Sequence, residues 1–403
     1  MQLKNRSSKI DPNTAIALVM QLMAIAGKSG EEAQVASFVE DYVSTWAIEG
    51  VSVAYDTAHR RSPIAGQVGN LVIKIPGNSR LPRLMLSAHL DTVPICVGCR
   101  PVRRGGEIVA ASPSTGLGAD DRAGVAAVLV AARAAVEHIA PGSRPPLTLC
   151  FFVQEEVGLH GARYVSVGKL GKPAWALNFD GGDPQKLTIG ATGGERMRVV
   201  LRGIAAHAGL APEQGASAIE AAALAIADLR RRGWLGRIKK GKSTGTSNIG
   251  VLRGGTATNV VADEVEIAAE ARSHESEFRE RIATTIADAF HQAAARVMNE
   301  AGQAVSCEVQ RRVDYESFRL AADDPVVRHV ATAIEEVGGT PHLAVSGGGV
   351  DANWINRHGI PTVTIGCGQR NVHTTDERLD IADYLLACEV GYHAIARAGT
   401  QVG

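Results

Sequence analysis

Short β-rich runs alternate with amphipathic stretches near the start of this 403-residue chain, stop, and resume near its end, and that interruption decides the domain organisation. Apolar residues recur at helical spacing over residues 13–26 and 30–46, with 27–30 as the break between them. β-rich runs follow at 51–55, 70–75 and 84–88, then an alanine-rich helix over 122–139 and a continuous apolar run at 147–153. A strand without polar alternation is covered on both faces, so this order predicts an α/β domain with a mostly parallel central sheet. After Asp180 the texture changes: residues 195–202, 246–252 and 264–271 alternate, around helical stretches at 216–232 and 275–301. From about Asp323 the first pattern returns, with a helix at 327–337 and strands at 342–346 and 362–366. The expected architecture is one discontinuous domain, 1–191 with 313–403, and an α+β domain inserted at 192–312.

Charge narrows the range of partners. Lys plus Arg and Asp plus Glu are both 42, so no global basic field exists to hold a nucleic acid or an anionic membrane. Hydrophobic residues at 45% against 21% charged place the chain among folding globular proteins rather than disordered ones. The first residues carry no apolar leader, and the most apolar later run, 125–136, is broken by Arg133. Six cysteines are few for this length, which fits a reducing cytoplasm. Cys96 and Cys99 form a CxxC with no second pair at zinc-ribbon spacing, so a structural role is expected for them.

The residues that could carry chemistry cluster at predicted strand ends. The run Leu84–Ala88 delivers His89 and then Asp91; ligand sites in open α/β sheets lie at that end. Histidine and an aspartate two residues on share a strand face, so the carboxylate can hold one ring nitrogen while the other binds a metal. Asp120 and Asp121 open the alanine-rich helix, where capping alone would also favour a carboxylate. The run 147–153 leads into Glu155 and Glu156, and adjacent buried carboxylates need a cation, a proton or water. Asp180 ends another apolar run, and the strand 362–366 leads through a loop to His373, Asp376 and Glu377. Imidazoles mixed with carboxylates suit two zinc-like or manganese-like ions.

Taken in order and spacing, His89-Leu90-Asp91, Gly118-Ala119-Asp120-Asp121, Glu155-Glu156, Asp180-Gly181-Gly182 and Asn371-Val372-His373 resemble the M20 metallopeptidases. The segments Ser346-Gly347-Gly348-Gly349-Val350-Asp351-Ala352-Asn353 and Val372-His373-Thr374-Thr375 look closest to the peptidase T-like branch. The resemblance implies a metal-binding, phosphorylase/hydrolase-like catalytic domain with an inserted lid and dimerisation domain. It implies two divalent ions per chain, zinc first and manganese or cobalt as alternatives. Asp120 would bridge them, His89 and Asp180 would complete one site, and Glu156 and His373 the other. Asp91 would orient His89, Glu155 would be the general base, and the Asp120–Asp121 bond would be cis.

Substrate contacts implied by the same resemblance are His207, Asn259 and Arg272 in the inserted domain. For Arg272 a solvated strand-end role competes with pairing to a peptide carboxylate. Gly347 opens a turn that formally fits a dinucleotide fingerprint, but no acidic residue closes a βαβ unit, so an anion-binding turn is expected instead. The implied function is hydrolysis of short peptides with release of the N-terminal residue, in a homodimer formed through the inserted domain. A carboxypeptidase or N-acyl amino acid deacylase of the same fold is the alternative.

Overall fold

The computed structural model describes residues 8–399. The chain divides into two compact units, one comprising Met1–Gly190, Arg319–Ser346 and Val350–Gly403, the other Ala191–Phe318 with Gly347–Gly349. The first is a mixed α/β structure around a nine-stranded sheet, and the parallel centre expected from the covered apolar runs is present. Its neighbours run Leu147–Phe152, Leu84–His89, Trp175–Phe179 and Thr362–Ile365, all parallel. Antiparallel strands flank them: Leu71–Ile75 and Ser52–Tyr55 on one side and Lys186–Ala191 on the other.

Alternation within the central strands builds two cores. Leu84, Leu86 and Ala88, with Leu147, Leu149 and Phe151, face one side, under the helices Pro12–Ala24, Ala119–His138 and Ile381–Ala398. Met85, Cys150 and Phe152 face the other, against Ala162, Ile355 and Ile360. The first helix starts where Asp11 accepts the N–H groups of Asn13 and Thr14 and Pro12 presets the backbone. Because His89 pairs with Phe152, and Ile365 with Phe179, the carboxyl ends of four strands come out along one sheet edge. A small antiparallel sheet of Pro101–Arg104, Glu107–Ala110, Arg378–Asp380 and Gln369–Arg370 carries the loop 371–377.

The second unit is a five-stranded antiparallel sheet in the order Gly236–Lys240, Ser243–Gly254, Glu264–Ser273, Gly193–Arg202, Ser306–Tyr315. Helices Ala218–Arg231 and Ser276–Arg296 cover one face around Val199, Ile267, Ile282 and Phe290. The second helix stops at Arg296, short of the expected 301, because Met298 turns to bridge Ala304. Among the described residues no helix is long and apolar enough to cross a membrane.

Candidate active site

The sheet edge of the first unit gathers five of the predicted residues into two overlapping groups. His89, Asp120 and Asp180 form one; Asp120, Glu156 and His373 form the other, and in each the potential ligand atoms lie within 4.8 Å of one another. Asp120 belongs to both: its Oδ1 is 3.2 Å from His89 Nε2 and its Oδ2 is 3.3 Å from His373 Nε2. Both Glu156 oxygens lie 2.9 Å from His373 Nε2.

Local structure explains how each side chain arrives. His89 is the last residue of the central strand, and Asp180 directly follows Trp175–Phe179. Asp120 sits in the first turn of Ala119–His138 but is not helical, with ψ of 104°. Gly118 before it has φ +74°, a left-handed conformation that glycine adopts without strain, and the Asp120–Asp121 bond is cis. His373 and Asn371 have φ of 64° and 53°, so the loop holds two side-chain-bearing residues in a sparsely populated region at the site.

Hydrogen bonds fix these segments. His89 Nδ1 bonds to the backbone carbonyl of Asp91 at 3.0 Å, with the Asp91 carboxylate 3.5 Å away. A carbonyl only accepts, so in the neutral ring Nε2 keeps the lone pair that faces Asp120. The Asp91 carboxylate accepts the N–H groups of Glu155 (2.9 Å) and Glu156 (3.2 Å) and the Ser29 hydroxyl (2.7 Å). Asp121 accepts the N–H groups of His89 (3.2 Å) and Gly124 (3.1 Å) and the amide of Gln369 (2.7 Å). Gln369 in turn accepts the N–H of Gly181, next to Asp180, at 2.8 Å.

Buried like charges dominate the electrostatics. Burial, then the nearby Asp120 and Glu156 carboxylates, push Asp180 up to about 7. Burial also holds Glu155 well above the usual carboxylate range, with Asp351, Asp180 and Glu156 adding to it. Hydrogen bonds to Asp120 and Glu156 raise His373 to about 10. A cluster of this kind is stabilised by positive charge among the carboxylates, and the two imidazoles can supply nitrogen donors once a bound cation takes the place of their ring proton, so the residues present fit a pair of divalent cations.

The remaining predicted residues belong to the second unit. His207 is exposed, and its strand bridge to Val260 and the Ala208 N–H bond to the Asn259 carbonyl (2.9 Å) bring the His207 and Asn259 loops together. Arg272 lies near the end of Glu264–Ser273, with Nη2 donating to Glu270 at 3.0 Å. Gly347 falls in the Gly347–Gly349 segment grouped with this unit, where Gly349 lies against the Tyr315 ring. Sequence reasoning gave no role to Asp121, Gln369 or Glu377, which bond to backbone groups around the site, or to Ser29, whose hydroxyl donates to the Asp91 carboxylate.

Residues 85–397 match the description Peptidase family M20/M25/M40. The chain belongs to this family of metallopeptidases. It is 34% identical over 374 residues to the uncharacterized protein YqjE of Bacillus subtilis, covering 92% of this chain and 94% of that one. A probable carboxypeptidase of Aspergillus clavatus is 32% identical over 318 residues, 72% of this chain and 65% of the relative. Among solved structures, the aminopeptidase PepT of Bacillus cereus superposes with a TM-score of 0.85 at 32% identity, covering 97% of this chain and all of that one. A tripeptidase of Staphylococcus aureus gives 0.88 at 30%, covering 98% and 100%. The M20 fold and peptide hydrolysis by this family are therefore common ground for the chain and its relatives.

Proposed function

We propose that this enzyme is a di-metal aminopeptidase that releases the N-terminal residue of short peptides, tripeptides foremost. The observation that carries the reading is the pair of donor sets sharing Asp120, with Glu155 anchored beside them by Asp91. The likeness to PepT and to the tripeptidase over nearly the full chain supports the substrate class.

His89, Asp120 and Asp180 would hold one ion, and Asp120, Glu156 and His373 the other, with zinc the first candidate and manganese or cobalt the alternatives. When bound, such a pair lowers the pKa of water and polarises the scissile carbonyl. Glu155 takes a proton from the attacking water on its carboxylate and passes it to the leaving amine nitrogen. Asp91 fixes the Glu155–Glu156 backbone, so base and ligand keep their spacing. The 192–312 segment serves as lid and dimerisation domain, with His207 donating to the oxyanion and Asn259, Arg272 and the Gly347 turn binding the peptide. All six cysteines are free thiols, which fits a cytoplasmic enzyme. A sedimentation mass of one chain would remove the homodimer from this reading.

Hydrolysis of free and N-acetylated di-, tri- and tetrapeptides, before and after chelation, tests the assignment. Metal-dependent release of the first residue from free tripeptides is expected, and N-acetylated tripeptides should be inert. The similarity to the probable carboxypeptidase favours a second reading, carboxypeptidase or deacylase action at the same centre. Release of the C-terminal residue, or cleavage of acylated substrates alone, would select it.

A further inference from the structure

Glu377 is 2% exposed, and no Lys, Arg or His among the described residues forms an ion pair with it. A buried carboxylate without a counter-ion survives only when hydrogen-bond donors replace water. Here four donors do. Oε2 accepts the N–H groups of Leu117 (2.9 Å) and Gly118 (2.7 Å) and the Cys96 thiol (3.6 Å), and Oε1 accepts the N–H of Asp120 (3.0 Å).

We propose that Glu377 is the positioning residue for Asp120, holding by its two oxygens the turn that presents this shared carboxylate, with the Cys96 thiol as its side-chain donor. The inference rests on the ligand role given above to Asp120. Glu377 follows His373 by four residues, so one side chain ties the loop carrying His373 to the turn carrying Asp120. Packing leaves that turn no slack: a Cβ on Gly116 would lie 2.9 Å from Cys96 Sγ and 3.2 Å from the Thr374 carbonyl. Burial and the Glu377 carboxylate push the Cys96 thiol far above its usual range, so it stays protonated and donates. This gives the first cysteine of the CxxC a structural task.

The chemistry requires a carboxylate. A glutamine has one acceptor oxygen, and turned to accept from Leu117 and Gly118 it presents an NH2 group to the Asp120 N–H, donor against donor. Asp120 would then swing, and both donor sets would lose their common member.

Competitive zinc titration of the metal-free protein, followed by calorimetry, reads this without reference to activity. Glu377→Gln is expected to weaken both ions together, by about tenfold or more each. His373→Ala is expected to weaken mainly one. A purely structural role would lower the melting temperature of Glu377→Gln but leave both affinities of the folded protein unchanged, and that result overturns the proposal. If Glu377→Gln does not fold, Glu377→Asp, which keeps two acceptor oxygens and withdraws them by one methylene, takes its place with the same readout. Cys96→Ala should weaken both ions in parallel to a smaller extent; unchanged affinities remove the thiol from the device. Failure to bind two ions in the unsubstituted protein would instead sink the ligand assignment itself.

Discussion

Glu155 is held by its backbone while its carboxylate takes no hydrogen bond from the described residues, leaving that carboxylate free to handle a proton. Glu155→Gln keeps size and polarity but not basicity, so kcat on free tripeptides should fall by about 10² to 10⁴-fold while two ions remain bound. Retained kcat would assign the base elsewhere. His329 offers a test away from the centre. It is buried, its Nε2 faces the Ala394 carbonyl at 2.8 Å, and burial lowers its pKa from 6.5. The unfolded chain therefore takes up a proton first, and this contribution to stability is complete above 6.5 and lost as pH falls below it. His329→Gln, which keeps a donor, should flatten that part of the curve of melting temperature against pH. At this scale the ligand candidates were readable because histidines and carboxylates stood just past apolar runs. Glu377 and Gln369 were not, since their partners include N–H and carbonyl groups of segments about 250 residues away in sequence, which no local pattern encodes.

Elements with a strong apolar period were legible, and those whose pairing is decided by neighbours were not. The helix expected at 122–139 is present as Ala119–His138, but its non-helical start at Asp120 and Asp121 is imposed by hydrogen bonds from other segments. Strand Ser306–Tyr315 escaped the reading because SCEVQRRVDY, at an exposed sheet edge, has little apolar alternation. The hairpin of Pro101–Arg104 and Glu107–Ala110 is too short and polar to announce itself. Helix Ile381–Ala398 was not read from the sequence, and its docking depends on one position. A Cβ on Gly391 would meet Ala131 Cβ at 2.8 Å and Phe179 Cζ at 2.9 Å, so the glycine permits the close approach. Gly391→Val should cost about 1–3 kcal/mol in denaturant unfolding. Because Phe179 precedes Asp180, the same variant should also lose metal faster on dialysis. Unaltered stability and metal content would show that the helix can move away freely.

Each unit has a main hydrophobic core of its own: that of the first is built around Leu86, Leu129, Leu149 and Phe179, that of the second around Val199, Ile267, Ile282 and Phe290. Both donor sets belong to the first. Ligands that bind only the native state stabilise it by mass action, about 4 kcal/mol at a thousand times Kd. Removing metal should therefore lower the unfolding temperature of the first unit by several degrees and leave the second where it was. Tryptophan provides the readout, since Trp46, Trp175 and Trp354 lie in the first unit and Trp234 in the second. A variant with the first three replaced by phenylalanine reports the second core through Trp234 alone, and its transition should not move on chelation. Calorimetry of the same samples should show one endotherm shifting and the other fixed. If Trp234 instead follows the metal, the two cores unfold as one cooperative body, and binding energy from the centre is reaching the second unit.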